Sequence, residues 1–336
     1  QVKHGLADVA LRHLNREVSK EQQRSDWSVE KLSKEQLEYA ATDIEVLLEL
    51  DALLEYKIEA AKLGKAFTLE CNALPPMAQM WRTGLPWNKE SLEQCLIDYQ
   101  DDAKAMGDDF IRELDNALPE DKKLPRDEDG SVNLRAKDEG SIRLGTKKYK
   151  GFNIKSSKQL LEKLEILLGY SPKDSNGKKS VSREALRKCA ADSETIQTLM
   201  NWKKTEKRRQ MLSSIQEKMA EDGFVRASYM QLGADTGRMS SIKPNNQQIP
   251  RDAEFRQCVE APEGWVIVDA DFSQMELRLA AALANDRNMI KAFKDGADLH
   301  DYTAEQMGCD RQIAKSANFG LLYGAGSEGL RNYAGS

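Results

Sequence analysis

Apolar residues between positions 30 and 62 recur at helical spacing. Leu32, Leu37, Ala40, Ala41, Ile44, Leu47, Leu48, Leu50, Leu54 and Ile58 return close to every 3.6 residues. A helix is expected there, with Gly64 as its stop. Before it, Leu6, Val9, Ala10 and Leu14 start an amphipathic pattern almost at Gln1, as expected of a chain cut from within a longer protein. Pro75, Pro76 and the Gly84-Leu85-Pro86 turn read as breaks, and Asn88 as the cap of a helix from Lys89 to about Leu118. Residues 119–152 are rich in Pro, Gly, Asp and Lys with little periodicity, so a long loop or small β excursion is expected. Helical spacing returns over 157–168, 182–190 and 193–221. From Gly223 the character changes: 224–232 reads as a strand and 233–252 as loop. Trp265-Val266-Ile267-Val268, bounded by acids, reads as a short buried strand. Helices follow over 273–284 and from Arg311 to about Tyr323, and no repeat is visible.

The 336 residues leave room for two or three domains. With 31% charged and 7% aromatic residues, the composition fits a soluble globular chain rather than a disordered one. No apolar run approaches the ~20 residues of a membrane span, and no secretory leader is present, so a cytoplasmic protein is expected. Five cysteines at 71, 95, 189, 258 and 309 are odd in number and scattered. That excludes a disulfide framework or a zinc site and reads as reduced, mostly buried thiols. The net charge of −5 hides an asymmetry: residues 142–215 carry 18 Lys+Arg against 7 Asp+Glu, whereas 71–140 carry 9 against 16. The basic block has the sign and length of a phosphate-neutralising surface, with Lys203, Lys204, Lys207, Arg208 and Arg209 on one helix as its candidates. On charge alone a solvated helical face is the alternative.

Candidate chemistry begins at Val268-Asp269-Ala270-Asp271-Phe272-Ser273-Gln274-Met275-Glu276-Leu277-Arg278. A strand would deliver an acid to its end just before a helix starts, a rigid place to hold a metal; read alone, such an Asp is as well explained as a helix cap. Farther on, Arg311, Lys315, Phe319 and Tyr323 step by four residues. Each step turns about 40° around a helix, so all four share one side. Two cations followed by two aromatic rings suit a triphosphate, then a sugar and base; an ordinary amphipathic helix is the plainer reading of the stripe by itself.

Together these segments resemble family A DNA polymerases of the DNA polymerase I type. The segment from Asp271 resembles motif A, usually Asp-Tyr-Ser-Gln-Ile-Glu-Leu-Arg, with Phe272 and Met275 at the variable places. Upstream, Thr236-Gly237-Arg238-Met239-Ser240-Ser241 and Pro244-Asn245-Asn246-Gln247-Gln248-Ile249-Pro250 resemble two further stretches, with Asn246 in place of the usual Leu. Downstream, Arg311-x3-Lys315-x3-Phe319-Gly320-x2-Tyr323-Gly324 has the pattern of motif B on the fingers' O helix. The short gap from His300 to Arg311 is phage-like.

The resemblance implies two-metal nucleotidyl transfer from dNTPs to a primer 3′-OH on primer–template DNA, with two Mg²⁺ ions as cofactors. Asp271 would bridge the ions and the Phe272 carbonyl would add a ligand. Glu276 would exclude a ribose 2′-OH, and Gln274 and His300 would contact the triphosphate. Arg311 would hold the β and γ phosphates and Lys315 would stabilise the transition state. Phe319 would pack on the sugar and Tyr323 would border the nascent base pair. Arg238 would reach the minor groove, with Asn245 and Gln247 on nearby backbone.

Residues 22–43 resemble the last part of a DEDDy 3′–5′ exonuclease, in which Asp43 would ligate a metal and Tyr39 would position water. The expected fold is α+β and mostly helical. Its parts are an exonuclease remnant (1–64), a thumb and connecting region (65–222), the first part of a palm (223–286) and partial fingers with the O helix (287–336). The chain ends before the family's later His-Asp-Glu motif with its second catalytic aspartate, so alone it is expected to be inactive. Alternatives are the DNA-binding half of a split polymerase, whose partner is a second polypeptide supplying the rest of the palm, and an exonuclease with a nucleic-acid clamp. A processivity factor is a further expected partner; a membrane is not.

Overall fold

The computed structural model describes residues 4–127, 129–134 and 151–334. Part of the 119–152 excursion and of the basic block, residues 135–150, lies outside them. The chain divides into two units, Gln1–Trp265 and Val266–Ser336. The first holds α1 (Leu6–Leu14), α2 (Lys34–Ala60), α3 (Gly64–Thr83), β1 (Leu85–Pro86), α4 (Lys89–Ala117), α5 (Ser157–Leu168), α6 (Arg183–Cys189), α7 (Glu194–Lys218), β2 (Phe224–Val225), β3 (Ser228–Met230), β4 (Ser240–Ile242) and α8 (Ala253–Gln257). The second holds α9 (Met275–Ala284), α10 (Arg287–Lys294), α11 (Leu299–Met307), α12 (Arg311–Leu322) and α13 (Ser327–Ala334).

Helix starts follow local chemistry. The Asn88 side chain accepts from Ser91 N at 2.9 Å to begin α4, and Ser156 and Ser182 cap α5 and α6 in the same way. Ser33 and Gln36 form a reciprocal capping box at α2. The long helices α4 and α7 then pack antiparallel, because the apolar residues of each form two clusters that pair end to end. Phe110, Leu114, Ile196, Leu199 and Trp202 meet α5 and α6 in one core, while Leu92, Leu96, Leu212 and Ile215 meet Val225 and Phe255 in the other. At Gly107 the helices approach closely: a Cβ there would stand 3.1 Å from the Trp202 indole nitrogen.

Four expectations are corrected. Gly64 does not stop a helix; α2 ends at Ala60, Lys62 turns the chain at φ 58°, and Gly64 opens α3. Pro75 and Pro76 lie inside α3, which has no buried residue, so the carbonyls of Cys71 and Asn72 that lose their helical donors stay open to water. The expected strand over 224–232 is two short strands in different sheets: β2 pairs with β1, and β3 pairs with β4 inside the segment expected to be loop. Trp265–Val268 is not a strand, with Trp265 74% and Val268 81% exposed. No described strand bonds to it, and an apolar run becomes a buried strand only when neighbours take its backbone groups and cover its faces. All five cysteines are free thiols, three of them buried. Among the described residues no helix is long and apolar enough to cross a membrane.

Candidate functional site

In the second unit, successive helices are set by aspartates: Asp286, Asp298 and Asp310 cap α10, α11 and α12 through their side chains. Asp298 does more than cap. One oxygen accepts from the backbone of His300 and Asp301, and the other takes the Arg311 guanidinium at 2.6 Å, while Arg311 Nε lies 2.9 Å from Asp301. Burial alone would raise the Asp298 carboxyl; Arg311 and the two amides outweigh it and hold it below the usual range. Arg311 is thereby fixed at the first turn of α12.

Along α12, Lys315, Phe319 and Tyr323 line one open cleft of about 400 Å³ with Gln312, Gly320 and Gly324. The Phe319 and Tyr323 rings are 6.4 Å apart and within 16° of parallel. The Tyr323 hydroxyl donates to Glu276 at 2.7 Å, tying α9 to the end of α12. His300, only 3% exposed, sets its ring 5.6 Å from Phe319. Burial pushes its imidazole below the ordinary value; the Arg311 and Lys315 cations add to that and Asp298 and Asp301 oppose it, leaving a neutral ring. Gln274, at φ 52°, accepts from Leu299 N at 3.1 Å through Oε1, which keeps its Nε2 as a donor. The structure thus brings together Gln274, Glu276, His300, Arg311, Lys315, Phe319 and Tyr323 around α11 and α12.

Asp271 and Phe272 stand apart from that group. Both are exposed in the irregular segment before α9, and the Asp271 side chain has no partner among the described residues. The strand end that was to hold Asp271 is absent, for the reason given above. Among the described residues no group of three His, Cys, Asp or Glu side chains could hold a metal ion. One carboxylate and one carbonyl do not make a two-ion site.

In the first unit the basic candidates separate into two classes. Arg208 Nε donates to Asp252 at 2.9 Å, and Arg209 Nε lies 2.8 Å from Glu206, which also takes Lys155 at 3.0 Å. Lys203, Lys204 and Lys207 line a cleft of about 630 Å³ with Lys155, Arg183 and Gln248; Lys204 also acts on the Asp252 carboxylate that Arg208 holds. Burial lowers the Lys203 ammonium from its ordinary value, as expected of an unpaired cation held partly out of water. Arg238 lies on the turn joining β3 to β4, where Gly237 takes φ 77°. Asn245 caps a 3-10 turn by accepting from Gln247 N at 3.1 Å, and Gln247 is exposed. Asn246, at the place where the resembled stretch carries Leu, buries both amide atoms without a partner among the described residues. On α2, Tyr39 and Asp43 lie one turn apart, with the Tyr39 ring 6.1 Å from Trp27.

Asp298, Asp301 and Asn318 were missed by sequence reasoning. The Asp298-to-Arg311 spacing follows no helical period, and Asn318 falls among the unassigned positions between Lys315 and Phe319 in the motif pattern; only its position beside Phe319 hints at a role.

Comparison with known proteins bears on the family and the fold. The chain is 33% identical to DNA polymerase I of Aquifex aeolicus over 355 aligned residues, covering 99% of this chain and 56% of that protein. It is 30% identical to DNA polymerase I of Pseudomonas aeruginosa, covering 99% of this chain and 36% of that protein. The chain therefore spans about half, or less, of the length of these relatives. Its fold matches the POL domain of Pol1 from M. smegmatis, solved in complex with DNA primer-template and dNTP, at a TM-score of 0.72 and 22% identity, covering 99% of this chain and 53% of that one. Residues 1–59 match a family model described as 3′-5′ exonuclease, which agrees with the remnant read from Tyr39 and Asp43. Residues 137–336 match the model of DNA polymerase family A, whose members are metal-dependent nucleotidyltransferases, and the chain belongs to that family.

Proposed function

We propose that this chain is the nucleotide-holding and DNA-holding part of a polymerase that adds dNTPs to a primer 3′-OH under template direction. The observation that carries the reading is the α12 cleft, where a cation and two rings share one opening and Glu276 is hydrogen-bonded at the end where the rings lie. Each side chain has a use there. Arg311, fixed by Asp298, and Lys315 neutralise triphosphate oxygens, and the Lys315 charge meets the negative charge that grows at the α-phosphoryl group as it transfers. The Phe319 face packs on the sugar, and Tyr323, held by Glu276, borders the base. Glu276 also fills the space of a 2′-hydroxyl. Gln274 Nε2 and His300 offer neutral donors to the triphosphate tail.

In the first unit, Lys203, Lys204 and Lys207 bind the DNA backbone, and Arg238, Asn245 and Gln247 contact the duplex near the primer end. The metal of the parent enzyme would be Mg²⁺, and Asp271 and the Phe272 carbonyl are the ligands this chain would contribute to it. The setting is the cytoplasm of a bacterial or phage-infected cell, and a processivity factor is a further partner. The domain division follows the same reading: exonuclease remnant 1–64, thumb and connector 65–222, first palm segment 223–286 and partial fingers 287–336.

The test is equilibrium titration of the chain with dTTP, dTMP and thymidine. The triphosphate binds most tightly, and Lys315→Ala removes about tenfold or more of that advantage, the value of a charge-assisted contact. Equal affinity for dTTP and thymidine, or a dTTP affinity untouched by Lys315→Ala, contradicts the reading.

A further inference from the structure

Asn318 precedes Phe319 on α12, but its carboxamide meets α11 and not the cleft. Its Nδ2 lies 3.1 Å from His300 Nδ1, 3.1 Å from Thr303 Oγ1 and 3.3 Å from the Leu299 carbonyl oxygen. Its Oδ1 lies 3.2 Å from the Thr303 hydroxyl, whose one proton has its shorter contact, 2.7 Å, with the Leu299 carbonyl. A carbonyl oxygen only accepts, so the amide edge facing Leu299 is the NH2. An NH2 only donates, so His300 Nδ1, on the same edge, is an acceptor. A neutral imidazole that accepts at Nδ1 carries its proton on Nε2.

We propose that Asn318 is a positioning residue: from the hidden side of α12 it locks His300 in the Nε2–H tautomer, so that the ring presents a neutral donor to a nucleotide phosphate oxygen. The identity of that acceptor rests on the proposed function; the lock itself does not. A phosphate oxygen can only accept, so the opposite tautomer would point a lone pair at it. Among the described residues no group bonds Nε2, which leaves that proton for a ligand. The charged groups facing the ring are Asp298 and Asp301 at the start of α11, and Arg311 and Lys315 on α12. Placing the tautomer control on α12 also makes His300 sensitive to any shift of that helix along α11.

The experiment is a two-bond proton–nitrogen correlation spectrum of the ¹⁵N-labelled full chain, which has only three histidines; the His300→Gln variant identifies the signal. The expected result is a protonated Nε2 and an unprotonated Nδ1 in the unsubstituted chain. Asn318→Asp puts an accepting carboxylate at Nδ1, so the tautomer should reverse and the imidazole should titrate at higher pH. Asn318→Ala should give a mixture of tautomers. An Nδ1–H tautomer in the unsubstituted chain overturns the proposal without reference to any variant; so does a tautomer unchanged in both variants. In parallel, Asn318→Asp should weaken dTTP binding about tenfold, and should add nothing in the His300→Gln background. A locked tautomer with no dTTP binding upholds the lock and refutes the nucleotide reading, so the two failures are distinct.

Discussion

Glu206 interrupts the apolar seam of α7 between Trp202 and Leu212, with its side chain only 9% exposed. Burial alone would push this carboxyl up, but hydrogen bonds from Arg209, Gln210 and Lys155 outweigh it and hold it at about 2. A carboxyl depressed on folding stabilises the fold above its unfolded value, near 4.3, and loses that contribution as the pH falls toward the folded value. The contribution at neutral pH is on the order of 3 kcal/mol. Glu206→Gln should therefore lower the urea midpoint at pH 7, and the gap to the unsubstituted chain should close between about pH 4.5 and pH 2. A gap independent of pH would show that the loss is one of packing alone. The same carboxylate, with Asp252, explains why counting charges overstated the exposed positive charge of α7. Arg208 and Arg209 belong to the basic block by sequence, yet Asp252 and Glu206 engage them, and the Asp252 partner lies 44 residues away.

Elements were legible where their causes are local. The caps at Asn88, Ser156 and Ser182 and the apolar spacing of α4, α5 and α7 lie within a few residues of the helices they start, and those helices stand where expected. Strands depend on partners elsewhere in the chain, so the 224–232 segment split between two sheets and Trp265–Val268 found none. On α7 the division of cations gives a prediction. Lys203, Lys204 and Lys207 replaced together by Gln should flatten the dependence of duplex-DNA binding on salt, by roughly one in the log–log slope for each lysine that meets a phosphate. Arg208→Gln should leave that slope nearly unchanged, because its partner is Asp252. An unchanged slope in the triple variant would return the lysines to a solvated face.

Across the whole molecule, family membership was readable because the motifs around Arg238, Asp271 and Arg311 are each compact and occur in order. What surrounds them was not. Asp298 reaches Arg311 and Asn318 reaches His300 only because α11 folds back on α12, a contact that no local pattern encodes. On the proposed reading the α11–α12 face, and not the lysine cleft of α7, receives the nucleotide triphosphate. The most direct test is to photo-crosslink an azidoadenine deoxynucleoside triphosphate to the full chain and identify the modified peptide by mass spectrometry. The expected result is modification within residues 311–324, suppressed by excess dATP and lost in Lys315→Ala. Modification confined to residues 194–218, or insensitive to Lys315→Ala, would contradict it.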